Sequence, residues 1–113
     1  MKMADELIEK VYEAIELAKS TGKLKVGTNE VTKMIERGTA KFVAIAKDVS
    51  PPEITMHIPL LCNEKDIPCA TVTSKEELGS AAGLTVPTAS VAIIQEGEAK
   101  NLIKELKDKL KAK

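Results

Sequence analysis

Aromatic side chains are almost missing from this chain: Tyr12 and Phe42 are the only two among 113 residues, and there is no tryptophan. Proteins that grip unpaired bases by stacking need an array of exposed rings, so recognition of that type is excluded. Histidine occurs once, and there is no Ser-His-Asp set, His-Glu-x-x-His pair or glycine-rich phosphate loop. His57 lies between Met56 and Ile58 in a helical pattern, where a structural or surface role outweighs that of a general base. The residues therefore give enzymatic activity little support. The two cysteines, Cys62 and Cys69, stand seven positions apart with no cluster of Cys or His nearby, which suits neither zinc nor a Cys-x-x-Cys redox pair. Both read as small buried hydrophobes, and no metal or cofactor is expected. No apolar run nears the roughly 20 residues that span a bilayer, and the first residues lack the apolar stretch of a signal peptide. The expectation is a cytoplasmic protein with no membrane contact.

A surplus of charge is also lacking, because 17 basic side chains balance 17 acidic ones. General attraction to polyanions is therefore unavailable, and only the distribution can inform. Residues 23–47 carry six basic side chains (Lys23, Lys25, Lys33, Arg37, Lys41, Lys47) against Glu30 and Glu36, whereas residues 1–19 carry five acidic against three basic. One face can attract phosphate while another stays acidic. Residues 100–113 hold six lysines against Glu105 and Asp108, which reads as a solvated helix end.

What is present is regular alternation. Leu7, Ile8, Val11, Ala14, Ile15 and Ala18 recur at helical spacing over 4–21, and Gly22 supplies a stop. A short extended segment at 24–26 leads to the turn Gly27-Thr28-Asn29-Glu30, which opens a second helix ending at Gly38 with Val31, Met34 and Ile35 on its core side. The continuous apolar run 42–46 predicts a strand buried on both faces, followed by a loop over 48–52. A third helix is expected over 53–65, with a kink or restart at Pro59, where a backbone donor is missing. Residues 67–73 read as a strand. Ser74 with Glu77 has the pattern of a capping box and starts a short helix that stops at Gly83. A loop at 84–87, a strand at 90–95 and a closing helix at 97–110 complete the order. Such alternation predicts an α/β protein with one domain over 1–113, a three-layer α/β/α sandwich around a central mixed sheet of about four strands.

Two segments stand out as candidate sites. On a helix, Glu30, Lys33 and Arg37 fall at i, i+3 and i+7, a polar stripe separate from the apolar one. A carboxylate, an ammonium and the Asn29 amide together suit the donors and acceptors of base edges, and free amides at a helix start can hold a phosphate. The same residues also fit a plain structural role, with Thr28 or Asn29 capping the helix and Glu30 paired to Lys33. In the second segment, Leu84, Thr85 and Val86 precede Pro87, so aliphatic side chains sit in a loop. They either tuck into the core or stay exposed to pack against a base swung out of its stack.

The segments Gly27-Thr28-Asn29-Glu30-Val31-Thr32-Lys33, Arg37-Gly38, Pro59-Leu60-Leu61-Cys62, Ile67-Pro68 and Leu78-Gly79 resemble, in order and spacing, the L7Ae family of ribosomal proteins. The resemblance implies a binder of kink-turn RNA, in which a short bulge separates a paired stem from tandem sheared G·A pairs. It implies that Asn29, Glu30 and Lys33 read guanine edges, with Gly27 in the same motif, and that Lys25, Thr28 and Arg37 meet backbone or flanking groups. Leu84, Thr85 and Val86 would cover the extruded nucleotide, supported by Ile54, with Lys75 as a further contact. The aliphatic Val86 looks like the archaeal form. By resemblance, the partners are kink-turns in ribosomal RNA of the large subunit, in box C/D and H/ACA guide RNAs and in ribonuclease P RNA, together with proteins of the same particles; the chain itself is expected to be a monomer without catalytic function. The competing readings are a protein-interaction module docking through the 84–86 loop and a small enzyme using Cys62 or Cys69.

Overall fold

A computed structural model describes the backbone over residues 5–46, 53–72 and 74–111, and side chains over 8–46, 58–72 and 74–108. The elements in chain order are α1 (Asp5–Thr21), β1 (Lys23–Val26), α2 (Thr28–Glu36), β2 (Phe42–Ala46), α3 (Glu53–Glu64), β3 (Cys69–Val72), α4 (Lys75–Ala81), β4 (Ser90–Gln95) and α5 (Lys100–Lys111), with a 3-10 turn at Gly97–Ala99. The loop expected at 48–52 lies outside the described residues.

The four strands form one sheet in the order β1-β4-β2-β3. Strand β4 runs antiparallel to both β1 and β2, while β2 and β3 are parallel, so the sheet is mixed as the alternation suggested. Successive side chains of a strand point to opposite faces, and β2 uses both. Phe42, Ala44 and Ala46 pack into a cluster with Val11, Ile15, Leu78 and Leu106 of α1, α4 and α5. Val43 and Ile45 pack into another with Val31, Ile35, Ile58 and Cys62 of α2 and α3. Every β2 residue is buried, which explains the unbroken apolar run and gives the three-layer sandwich. Each fully buried Ile or Val here contributes about 1.5–3 kcal/mol relative to an exposed one.

Helix ends follow the backbone chemistry of the residues beyond them. Gly38 takes φ 73° after α2, with its N–H on Ile35 O at 3.0 Å and the Thr39 N–H on Met34 O at 3.0 Å. This left-handed closure satisfies two carbonyls that the helix would otherwise leave open. Asp66 performs the same closure after α3 at φ 57°, its N–H meeting Asn63 O at 3.3 Å, while the Ile67 N–H meets Cys62 O at 2.8 Å.

Three expectations need adjustment. Helix α3 runs through Pro59 as one element rather than restarting, because a proline removes one backbone bond and flanking turns can carry the rest. Strand β3 begins at Cys69, not residue 67, since the Ile67 N–H closes α3 and Pro68 has no N–H to give the ladder. Gly97 starts a 3-10 turn before α5, and the Glu98 N–H is taken by Thr21 Oγ1 at 2.8 Å, tying that turn to the end of α1.

Candidate functional site

Strand directions gather several loops at one end of the sheet. Val26 at the end of β1 pairs with Val91, and Ile45 near the end of β2 pairs with Ser90 at the start of β4. Val72 ends β3 beside Ala46. The start of α2, the start of α4 and the 84–89 loop therefore converge at this end, and α3 begins after the segment that leaves β2 here.

The turn into α2 has no side-chain cap. Gly27 is the capping residue, with φ 93° and ψ 144°, and neither Thr28 nor Asn29 takes the capping role that a purely structural reading gave them. That backbone conformation is essentially reserved for glycine, so the residue type is set by the turn. A Cβ there would meet nothing within 4 Å, leaving the outer side of the turn open to close approach. Val31 N–H bonds Gly27 O at 2.9 Å, while the amides of Thr28, Asn29 and Glu30 have no partner among the described residues. Asn29, Glu30 and Lys33 are exposed. Glu30 and Lys33 lie at 4.0 Å with side chains about half exposed, an ion pair that a ligand can open at little cost, since such pairs contribute about 0.3–0.5 kcal/mol.

The apolar loop divides between the two roles open to it. Leu84 is half-buried against the α1/α4/α5 cluster, whereas Thr85 and Val86 face solvent, Val86 with 60% of its surface accessible. The loop is held from below by α4. A Cβ on Gly79 would stand 2.3 Å from Val86 O and 3.1 Å from Pro87 Cα, so only glycine permits this approach. The α4 start is fixed by Ser74, whose hydroxyl accepts from the Glu77 N–H at 3.2 Å, as its capping pattern required. Lys75 is half-buried beside it, and its carbonyl accepts the Thr88 N–H at 3.1 Å.

One atom joins the two halves. The Ser90 carbonyl accepts both the Gly27 N–H and the Thr88 hydroxyl, each at 3.1 Å. The turn into α2 and the end of the apolar loop thus share an anchor on β4.

Gly27, Thr28, Asn29, Glu30, Lys33, Lys75, Thr85 and Val86 come together at this end, with Leu84 beneath. Lys25 is exposed one residue inward on β1, and its cross-strand partner Ala92 packs toward α2. Arg37 is not part of the cluster: it caps the far end of α2, roughly 10 Å along the axis from Glu30 at 1.5 Å per residue. Ile54 sits in the first turn of α3, and its side chain lies outside the described residues, as does that of His57. The roles of Gly79 and the Ser90 carbonyl escaped sequence reasoning. Leu78-Gly79 was visible as a motif, but nothing in it tells which backbone the glycine must admit.

The cysteines fall elsewhere, next to one another between α3 and β3. Cys62 is buried as expected, while Cys69 is only partly covered. A hydrogen bond between the thiols pushes Cys62 down from the usual thiol range against the effect of burial, and holds Cys69 protonated well above it. Among the described residues no three His, Cys, Asp or Glu side chains group as metal ligands, and no helix is long and apolar enough to cross a membrane.

The sequence model of the ribosomal protein L7Ae/L30e/S12e/Gadd45 family matches residues 9–103. Among solved structures, the chain is similar to one described as the Giardia lamblia 15.5kD RNA binding protein, with a TM-score of 0.91 and 34% identity over 97% of this chain and 92% of that one. The one likeness is to a family of ribosomal proteins and the other to an RNA-binding protein; neither description names an enzyme.

Proposed function

Because this chain belongs to the ribosomal protein L7Ae/L30e/S12e/Gadd45 family, we propose that the sheet end built from the α2 start and the 84–86 loop binds kink-turn RNA and holds it bent. The observation that carries this reading is the pairing of an open, uncapped helix start with an exposed aliphatic loop, both hung from the Ser90 carbonyl. Asn29, Glu30 and Lys33 supply acceptors and donors for base edges, and the free amides of the first turn favour a phosphate. Val86 and Thr85 offer an apolar cover for one extruded nucleotide, with Leu84 as its buried root. Lys25, Thr28 and Lys75 flank these residues, while Arg37 meets RNA only if the duplex extends along α2. Ile54 is assigned to the same cover by the family resemblance alone.

Regular A-form helices hide their major-groove edges, and a kinked element opens them. The protein binds the bent state better than the extended one and shifts the population by that difference in affinity. It would serve as an architectural part of ribonucleoproteins: the large ribosomal subunit, box C/D and H/ACA guide RNA particles, and ribonuclease P. The aliphatic Val86 in the loop accords with an archaeal-type role.

The test is a titration against a short kink-turn RNA and a control whose sheared G·A pairs are replaced by Watson–Crick pairs, at one salt concentration. Preference for the first supports the reading. Equal binding to both leaves only charge attraction and moves the assignment to a protein-docking module.

A further inference from the structure

The opposite end of the sheet carries a feature that the proposed site does not use. There, a hollow of about 530 Å³ is lined by Lys41, Lys100, Lys104 and Lys107 around Glu96, Asn101 and the buried Ile103. Four lysines against one carboxylate leave a local surplus of three positive charges in a chain whose total is zero. Lys100, Lys104 and Lys107 share one face of α5 at i, i+4 and i+7, and Lys41 reaches the hollow from the link between α2 and β2.

Folding alone disfavours this arrangement. Like charges at i, i+4 on a helix destabilise it by a few tenths of a kcal/mol per pair. Among the described residues none of the four makes an ion pair, although α5 neutralises a lysine elsewhere, where Lys10 meets Glu105 at 2.6 Å. The cluster also escapes explanation as general basicity, because the chain has none. Ammonium groups spread around an open hollow, with an amide between them, match the spaced phosphates of a nucleic-acid backbone and carry no base-reading geometry.

We propose that this lysine hollow is a second, sequence-independent RNA contact that grips the backbone of a duplex segment, so that the protein stands between two RNA segments. The choice of RNA as the polyanion rests on the function proposed above; the charge cluster does not. Strand β4 separates the two ends by roughly 17 Å at 3.4 Å per residue, about twice the physiological screening length, so the sites act independently.

The test compares wild type, Lys41→Glu/Lys104→Glu and Glu30→Ala/Lys33→Ala for binding to a labelled bulge-free RNA duplex and to a short kink-turn RNA. Lys41→Gln/Lys104→Gln serves where charge reversal impairs folding, and circular dichroism checks each variant. The lysine variant is expected to bind the duplex at least about fivefold more weakly while keeping kink-turn affinity. Because that variant has two fewer ammonium groups to neutralise phosphates, wild-type duplex affinity should fall roughly tenfold more than the variant's between about 50 and 200 mM salt. The α2 variant should show the reverse pattern. Loss of duplex binding in the lysine variant supports the inference even if the kink-turn preference itself fails. Wild-type duplex binding by the lysine variant overturns it, as does equal loss on both RNAs. Poly-L-glutamate displacing the duplex as well as RNA at equal charge also overturns it, in favour of an acidic protein partner.

Discussion

Substituting Gly79 by alanine separates two effects that ordinarily travel together. In the interior of a helix the change should stabilise by about 0.5–1 kcal/mol, because glycine loses more backbone freedom on folding. At this position the new Cβ falls 2.3 Å from Val86 O, and the obstacle is backbone, which has no rotamer in which to retreat. To restore a separation of 3.0–3.4 Å, the loop must move away from α4 by 0.7–1.1 Å. Overpacking costs about 1–3 kcal/mol, and an overlap this deep against backbone falls in the upper part of that range, so the net effect is a loss of about 1–2 kcal/mol. For a chain of this size that corresponds to a fall in Tm of roughly 4–12 °C. Differential scanning calorimetry with Ser80→Ala, an exposed neighbour on the same helix, provides the comparison. The displaced loop carries Val86, so affinity for kink-turn RNA should also fall in protein that remains folded at the assay temperature. An unchanged or raised Tm, as helix propensity alone requires, would refute the reasoning.

Other substitutions probe the remaining parts. Glu30→Ala or Lys33→Ala should each weaken kink-turn binding by about 1–3 kcal/mol while leaving the melting curve nearly in place, since their mutual ion pair is exposed; isothermal titration and thermal melts together read both quantities. Gly27→Ala meets no neighbouring atom, so its cost is backbone strain alone, about 1–3 kcal/mol by chemical denaturation, and a stability equal to wild type would mean that the turn can relax out of its φ of 93°. Val86→Asp places a charge on an already exposed position and should leave folding intact while lowering RNA affinity; full retention of binding would remove the loop from the interface.

The layered architecture was legible because burial leaves a period in the sequence. The 42–46 run announced a strand covered on both sides, and the stripe Val31, Met34, Ile35 announced the buried side of α2. Helix stops at Gly22, Gly38 and Gly83 were readable for the same reason that they function, as residues that tolerate unusual backbone or close contact. Local chemistry was less legible where two residues compete for one task. Thr28 and Asn29 have side chains suited to capping, yet the chain turns one residue earlier at Gly27, and those side chains remain outside. For the loop, the sequence could not divide Leu84 from Val86, because which of two aliphatics points inward depends on how the loop closes over Gly79 of α4. Arg37 was joined to Glu30 and Lys33 by angular position around the helix, a measure blind to distance along it.

Anchoring both halves of the site on the Ser90 carbonyl has a consequence for how the surface can be altered. A main-chain oxygen is common to all amino acids, so the frame does not depend on any side chain that faces the ligand. Asn29, the Glu30–Lys33 pair and Val86 can then be exchanged as separate fittings, with the spacing between them inherited from the strand. For protein engineering, base preference at α2 and tolerance for the extruded nucleotide at the loop become separately adjustable dials on one rigid mount.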